Sequence, residues 1–229
     1  MSIAIGIASI PSRCEGLRRV VADLLPQCNK MFVYLNHYSN EPGFLVHPKI
    51  EVFHSEAHGN HGCPGKFYRA ADHGGYFFAV DDDIFYPSNY VEKMCEAVDR
   101  WRACVGVHGI RLRNFPVVDY YSERDRETFR FSKARAEDSL VDILGTGTLA
   151  FHTRHVKVTS AWFDHPQLSD IPVAADLQRQ GVKRVCVART AGWLKEMPES
   201  SEPSLFQLGR RQRKLVAAVV NSYSWGKLP

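Results

Sequence analysis

The run YFFAVDDDIFYP, Tyr76 to Pro87, sets three carboxylates directly behind five apolar residues. Side chains alternate faces in extended chain, so Asp81 and Asp83 point one way and Asp82 the other. Two like charges about 4 Å apart repel by ~4 kcal/mol at an effective dielectric of ~20, enough to raise a carboxyl pKa or to require a cation. A hard divalent ion, Mg²⁺ or Mn²⁺, held by Asp83 and Asp81 would relieve that repulsion and complete its octahedron with diphosphate oxygens and water. The same residues would also suit a solvated acidic turn or a helix N-terminus. Their place behind a buried strand favours the ion.

Other groups add to this chemistry. Lys66 follows Pro64 and Gly65 at an expected helix start, where free backbone amides favour anions, and with Arg69 it would face a nucleotide or diphosphate; an ordinary exposed lysine is the alternative. Gly145 and Gly147 in LGTGT either admit a ligand close to the backbone or mark a strand kink. Asp170, in LSDIPVAADL, stands where a helix cap would, and Asp176 lies deeper in the same helix. His54, His58, His61 and Cys63 have no spacing that fits a closed zinc site, and the glycines between them indicate a flexible loop. His108 reads as a satisfied core histidine, and Trp193 as a core residue or a surface for stacking on a sugar.

The elements that must position these residues alternate. Ile3–Ala8 reads as a buried strand closed by Pro11, Gly16–Leu25 as an amphipathic helix stopped by Pro26, and Met31–Leu35 and Ile50–Phe53 as further strands. A helix is expected from Gly65 to Ala71, a wholly apolar strand at Tyr76–Val80, and a helix within Pro87–Trp101 capped by Ser88. Cys104–Val107, Leu144–Phe151 and Arg184–Ala188 read as strands, and Ala174–Gln180 as a helix closed by Gly181. Residues 114–138 are crowded with charge and read as a mobile excursion. This order predicts an α/β fold with a Rossmann-like, mostly parallel sheet flanked by helices. Ligands gather beyond the carboxyl ends of such strands, where Ser9, Pro11, Arg13 and the acidic triplet lie.

Composition sets the outer limits. A chain of 229 residues is expected to form one large domain, and its 45% hydrophobic and 24% charged content excludes disorder, collagen and coiled coil. The net charge of +4 is too mild to dictate a nucleic-acid partner, and none is expected. No apolar run approaches a membrane span, the N-terminus lacks a basic leader region, and the six cysteines are scattered without a CxxC pair, so a cytoplasmic protein with reduced thiols is expected. Arg210, Arg211, Arg213 and Lys214 precede LVAAVV. Such a cluster suits peripheral contact with an anionic membrane at its inner face, docking of a partner, or a solvated helix.

An apolar strand ending in D-x-D within an α/β nucleotide-binding half resembles the GT-A glycosyltransferases. The ordered blocks DDDIFYPSNYVEKM, VGVHG, LGTGTLAF and GWLKEM are similar to those of the bacterial α-N-acetylglucosaminyltransferases of heparosan capsule synthesis, over Ile3 to Met197. The chain departs from that pattern at Ala57–Cys63 and beyond Met197. The resemblance implies a GT-A fold with a nucleotide-binding half at 1–101, a mixed acceptor-side half at 102–197 and a basic tail at 198–229. It implies transfer of a sugar, N-acetylglucosamine, from a UDP-sugar to a growing surface polysaccharide with retention of configuration, a Mn²⁺ or Mg²⁺ cofactor, and a partner glycosyltransferase subunit. On matching positions Asp81, Asp82 and Asp83 would hold ribose and metal–diphosphate, and Ser9, Pro11, Arg13, Lys66 and Gly145 would border the nucleotide-sugar. Asp170 would sit beneath the donor sugar, where it could orient the acceptor or stabilise charge at the anomeric carbon, Lys195 would neutralise the leaving diphosphate, and His108 would approach the acceptor. Two other classes remain open: a metal-dependent nucleotidyltransferase, for which SIPSRCEG is a poor phosphate loop, and a non-catalytic carbohydrate-binding or scaffolding subunit of a polymerase.

Overall fold

The computed structural model describes residues 2–197 and 205–226. Seven residues of the expected basic tail, 198–204, and the last three, 227–229, lie outside that description. The strands are β1 Ile3–Ser9, β2 Lys30–Leu35, β3 Ile50–His54, β4 Tyr76–Val80, β5 Ile84–Phe85, β6 Cys104–Gly106, β7 Gly109–Leu112, β8 Arg126–Phe129, β9 Ser139–Leu140, β10 Ile143–Leu144, β11 Thr148–His152, β12 Arg184–Cys186 and β13 Lys195–Glu196. The helices are α1 Cys14–Leu24, α2 Ser55–His58, α3 Tyr90–Trp101, α4 Asp170–Arg179, α5 Leu205–Arg211 and α6 Arg213–Asn221.

Eight strands form one sheet in the order β3-β2-β1-β4-β11-β6-β12-β9. The first four run parallel, β11 is antiparallel to both β4 and β6, and β12 returns parallel to β6. The continuous apolar runs of β1 and β4 fit this place, because strands covered on both faces have no polar side to present. On one face α1 and α3 pack through Leu17, Val20, Leu24, Met94 and Val98 against Ile5, Ile7, Phe78 and Val80. On the other, Phe67, Trp162, Val173 and Leu177 cover Ala4, Phe77 and Phe151. The mostly parallel α/β sheet expected from the sequence is therefore present.

Four local expectations are corrected. Gly65–Ala71 is not one α-helix: 3-10 turns span Cys63–Phe67 and Ala70–Asp72, because the chain must lie flat across β1, and Pro64 already removes an amide donor. Ser88 does not cap α3, since Asn89 holds the N-cap position without a side-chain bond. The single strand at Leu144–Phe151 is split into β10 and β11 by a turn at Gly145–Gly147. The charged excursion contains β8, which pairs with β7 in a three-stranded sheet of order β10-β7-β8. Gly181, by contrast, closes α4 as expected, at φ 71° with its amide on the Gln178 carbonyl.

The flat 3-10 turn depends on one glycine. A methyl group on Gly6 of β1 would collide with the backbone carbonyl of Lys66. Gly6→Ala is expected to cost about 1–3 kcal/mol or more, as overpacking against backbone does. Thermal denaturation checks this, and an unchanged midpoint would contradict the packing.

Candidate active site

The carboxyl edge of the parallel strands brings the sequence-predicted residues together. Ile7 of β1 is level with Val80 of β4, so the segment Ser9–Arg13 and the triplet Asp81–Asp83 leave the sheet side by side. Asp81–Asp83 forms a turn that leads into β5. Gly16 and Gly147 make that turn possible: a side chain on Gly16 would strike the Asp82 carbonyl, and one on Gly147 the Asp81 carboxylate. Tyr86 locks the turn from below. Its hydroxyl accepts from the Asp81 amide at 3.0 Å and donates to the Gly147 carbonyl at 2.5 Å.

Each carboxylate has a distinct environment. Asp82 is 5% exposed and points inward, where Arg13 Nη1 lies 3.1 Å from its Oδ1. The same Nη1 lies 2.6 Å from Asp83 Oδ2. Lys66, itself 3% exposed, forms an ion pair with Asp81. Burial alone would lower the Lys66 pKa, but Asp81 holds it above the ordinary range. Burial and the neighbouring Asp81 raise Asp83. Arg13 and Lys66 thus brace the triplet, which is closer work than the bordering role expected of them. Ser9 is buried, its Oγ 3.1 Å from the Tyr38 hydroxyl and within reach of Asp82.

Burial raises the Asp82 pKa from 3.8 to about 6, against the pull of Arg13. A carboxyl that holds its proton more tightly when folded loses stability as pH rises through that interval. The unliganded protein should therefore lose folding stability between pH 3.8 and about 6 at this site, and Asp82→Asn should flatten that part of the profile. Calorimetric melting across the interval, wild type against variant, is the check; parallel profiles would contradict it.

Asp170 opens α4, yet its carboxylate accepts from the Thr146 amide at 2.8 Å and the Thr146 hydroxyl at 2.7 Å rather than from its own helix. Thr146 Oγ1 is 2.8 Å from Ser169 Oγ, which accepts from the Cys63 thiol at 3.2 Å. This chain ties the LGTGT turn, α4 and the Lys66 turn into one unit. Burial raises the Asp170 pKa, the Thr146 bonds oppose that, and the charges of Asp81 and Lys66 both reach it. Asp176, the weaker candidate, is structural: its Oδ2 accepts from the Trp162 indole at 2.8 Å and the Thr159 hydroxyl at 2.9 Å.

Other candidates stand apart. Gly145 packs against the His108 ring, and Gly147 lies in close approach to the Asp81 carboxylate. Lys195 is exposed on β13, which pairs with β5 immediately after the triplet, and the Met197 amide donates to the Asp83 carbonyl at 2.8 Å. Arg69 pairs with Asp72. Trp193 donates to Asn89 and packs on Tyr90. His58 and His61 pack around Tyr68, and among the described residues no three His, Cys, Asp or Glu side chains converge on a metal position.

Beside the Ser9–Arg13 turn, an open cleft of about 480 Å³ runs along Pro11, Cys14, Arg18, Tyr38 and the 39–43 loop. Sequence reasoning missed Tyr38, Tyr86, Gly16, Thr146 and Cys63. None of them carries a signal as a single residue, and Cys63 enters the sequence reading only as a zinc ligand.

No protein-family profile matches the chain, and no curated protein matches it in sequence. Solved structures do. The chain superposes on residues 1–349 of S. aureus TarS, a glycosyltransferase, with a TM-score of 0.52 at 10% identity, covering 83% of this chain and 59% of that one. A197 from STIV gives a TM-score of 0.43 at 12% identity, covering 87% of both chains. The chain thus shares the α/β fold of the TarS fragment and spans about three fifths of its length. Among the described residues no helix is long and apolar enough to cross a membrane.

Proposed function

We propose that this protein is a metal-dependent glycosyltransferase that moves a sugar, N-acetylglucosamine, from a UDP-sugar to a growing bacterial surface glycan with retention of configuration. The observation that carries this reading is the pair of half-exposed carboxylates, Asp81 and Asp83, at the carboxyl edge of the parallel strands and beside the Pro11–Tyr38 cleft. The donor set fits a hard divalent cation. It supplies two carboxylates and no closed cage, which suits Mg²⁺ or Mn²⁺ completing its shell with water and substrate phosphate oxygens. Asp83 and Asp81 would hold the ion, which supplies positive charge to a departing diphosphate.

The remaining work belongs to the chain. The nucleotide lies along the cleft, with the Pro11–Arg13 turn and Tyr38 against its base and ribose. Lys66 and Arg13 hold the three carboxylates in place. Lys195, exposed and one strand pairing away from the triplet, faces solvent where the diphosphate leaves. Asp170, fixed by Thr146, orients the acceptor hydroxyl and stabilises positive charge at the anomeric carbon. With retention, the departing phosphate takes the acceptor proton, so Asp170 need not be a base. Calorimetric titration with UDP tests this: binding is expected with Mn²⁺ and lost with chelator, and no binding in either condition would overturn it.

A further inference from the structure

The acceptor-side half carries positive charge that the triplet does not use. Just beyond β8, Arg130, Lys133 and Arg135 surround a cleft of about 170 Å³ that Arg189 also lines. Arg189 is 9% exposed, and its guanidinium donates to neutral partners: the carbonyls of Arg130 at 2.6 Å, Val187 at 2.8 Å and Lys133 at 3.1 Å, and Cys186 Sγ at 3.2 Å. These bonds use four of its five N–H groups, so Arg189 offers the cleft its unneutralised charge and one remaining donor. Arg135 lies over the Phe129 ring, 3.9 Å from its centroid, and donates to Ser139. Among the described residues, no ion pair includes Arg130, Lys133, Arg135 or Arg189. Asp138, the acid on this side, is taken by Arg100, the Trp101 indole and the Ala188 amide.

Arg130 and Lys133 are exposed beside the buried Arg189, and like charges drawn together favour an anion between them. Guanidinium forks match the oxygens of phosphate and carboxylate in geometry and charge. Four cations around so small a space favour a doubly charged phosphoryl group over a singly charged carboxylate. His108 lies close to this segment. Gly109 pairs with Phe129, so the two strands run on into His108 and Arg130, and the His108 ring lies 6.1 Å from that of Phe131. Burial, with the field of Arg126, Arg189 and Arg130, lowers the His108 pKa to about 4. Arg126 itself stacks on Tyr120 and Tyr121, at 4.4 and 4.8 Å.

We propose that the Arg130–Lys133–Arg135–Arg189 cleft binds a phosphoryl group carried by the second substrate. That the occupant is part of the acceptor rests on the glycosyltransferase reading; that the cleft takes a phosphoryl group does not. The probe is inorganic phosphate, titrated into UDP-saturated protein by calorimetry, with sodium chloride at matched ionic strength and glucuronate as parallel arms. Saturable phosphate binding is expected, weakened about 10-fold or more in Arg130→Gln and in Lys133→Gln, which alter exposed side chains and leave UDP affinity unchanged. A response matched by chloride, or unchanged in both variants, would overturn the site. Glucuronate binding as tightly as phosphate would overturn the phosphoryl assignment. Phosphate binding by a protein that fails to bind UDP would uphold the cleft and remove the glycosyltransferase reading.

Discussion

Asp83→Asn should weaken UDP binding in the presence of Mn²⁺ by roughly 100-fold, about 2.7 kcal/mol, while leaving the fold intact. Asp83 is half-exposed at the edge of the sheet, so its removal opens no cavity in the core. The amide keeps the shape of the side chain and removes one of the two anionic donors proposed for the ion. Arg13 retains Asp82 as a partner, so the brace beneath the turn survives. Calorimetry on the variant, with a melting curve as the control on folding, reads both quantities. Unchanged UDP affinity would remove the metal bridge from the account, and a collapsed melting transition would show that Asp83 is structural.

Asp170→Asn should lower kcat by about 10²–10³-fold and change donor affinity little, as expected for a group that acts on developing charge. The structure supports the separation of the two effects. Asp170 is held by Thr146 at the LGTGT turn, whereas the cleft proposed for the nucleotide lies beside β1 and β2. Asparagine can still accept from the Thr146 amide and hydroxyl, so the turn should keep its position. Steady-state kinetics with each substrate varied in turn checks this. Equal kcat with a lowered melting temperature would reduce Asp170 to a fastener between the LGTGT turn and α4.

The parallel half of the fold was legible because period and burial agree there. Apolar runs such as Ile3–Ala8 and Tyr76–Val80 have only one comfortable place, between two covered faces, and the structure puts β1 and β4 there. Asp82 is buried, but the alternation expected of the triplet fails: 81–83 is a turn, and one Arg13 nitrogen holds Asp82 and Asp83 together while Asp81 pairs with Lys66. The 63–72 segment was misread because its helical composition is overridden by tertiary contact: it must cross Gly6 at close range, which a regular helix would not allow. Lys66, expected to face a nucleotide or diphosphate, pairs with Asp81, a contact between segments that local sequence does not encode. Thr146, Tyr86 and Cys63 carry no signature as single residues, since their roles arise only when three separate segments meet. Gly145 and Gly147 are indistinguishable in sequence, and only the turn's geometry sets one against His108 and the other against Asp81.

The central claim is that the Asp81–Asp83 edge is the donor site of a sugar transferase. Slow hydrolysis of the donor needs no acceptor, so the purified protein can be incubated with a panel of UDP-sugars and Mn²⁺ and its nucleotide product followed by ³¹P NMR. The account predicts release of UDP from at least one sugar, UDP-N-acetylglucosamine foremost, stopped by chelator and by Asp83→Asn. Release of pyrophosphate or UMP, or UDP release indifferent to both chelator and substitution, would contradict it.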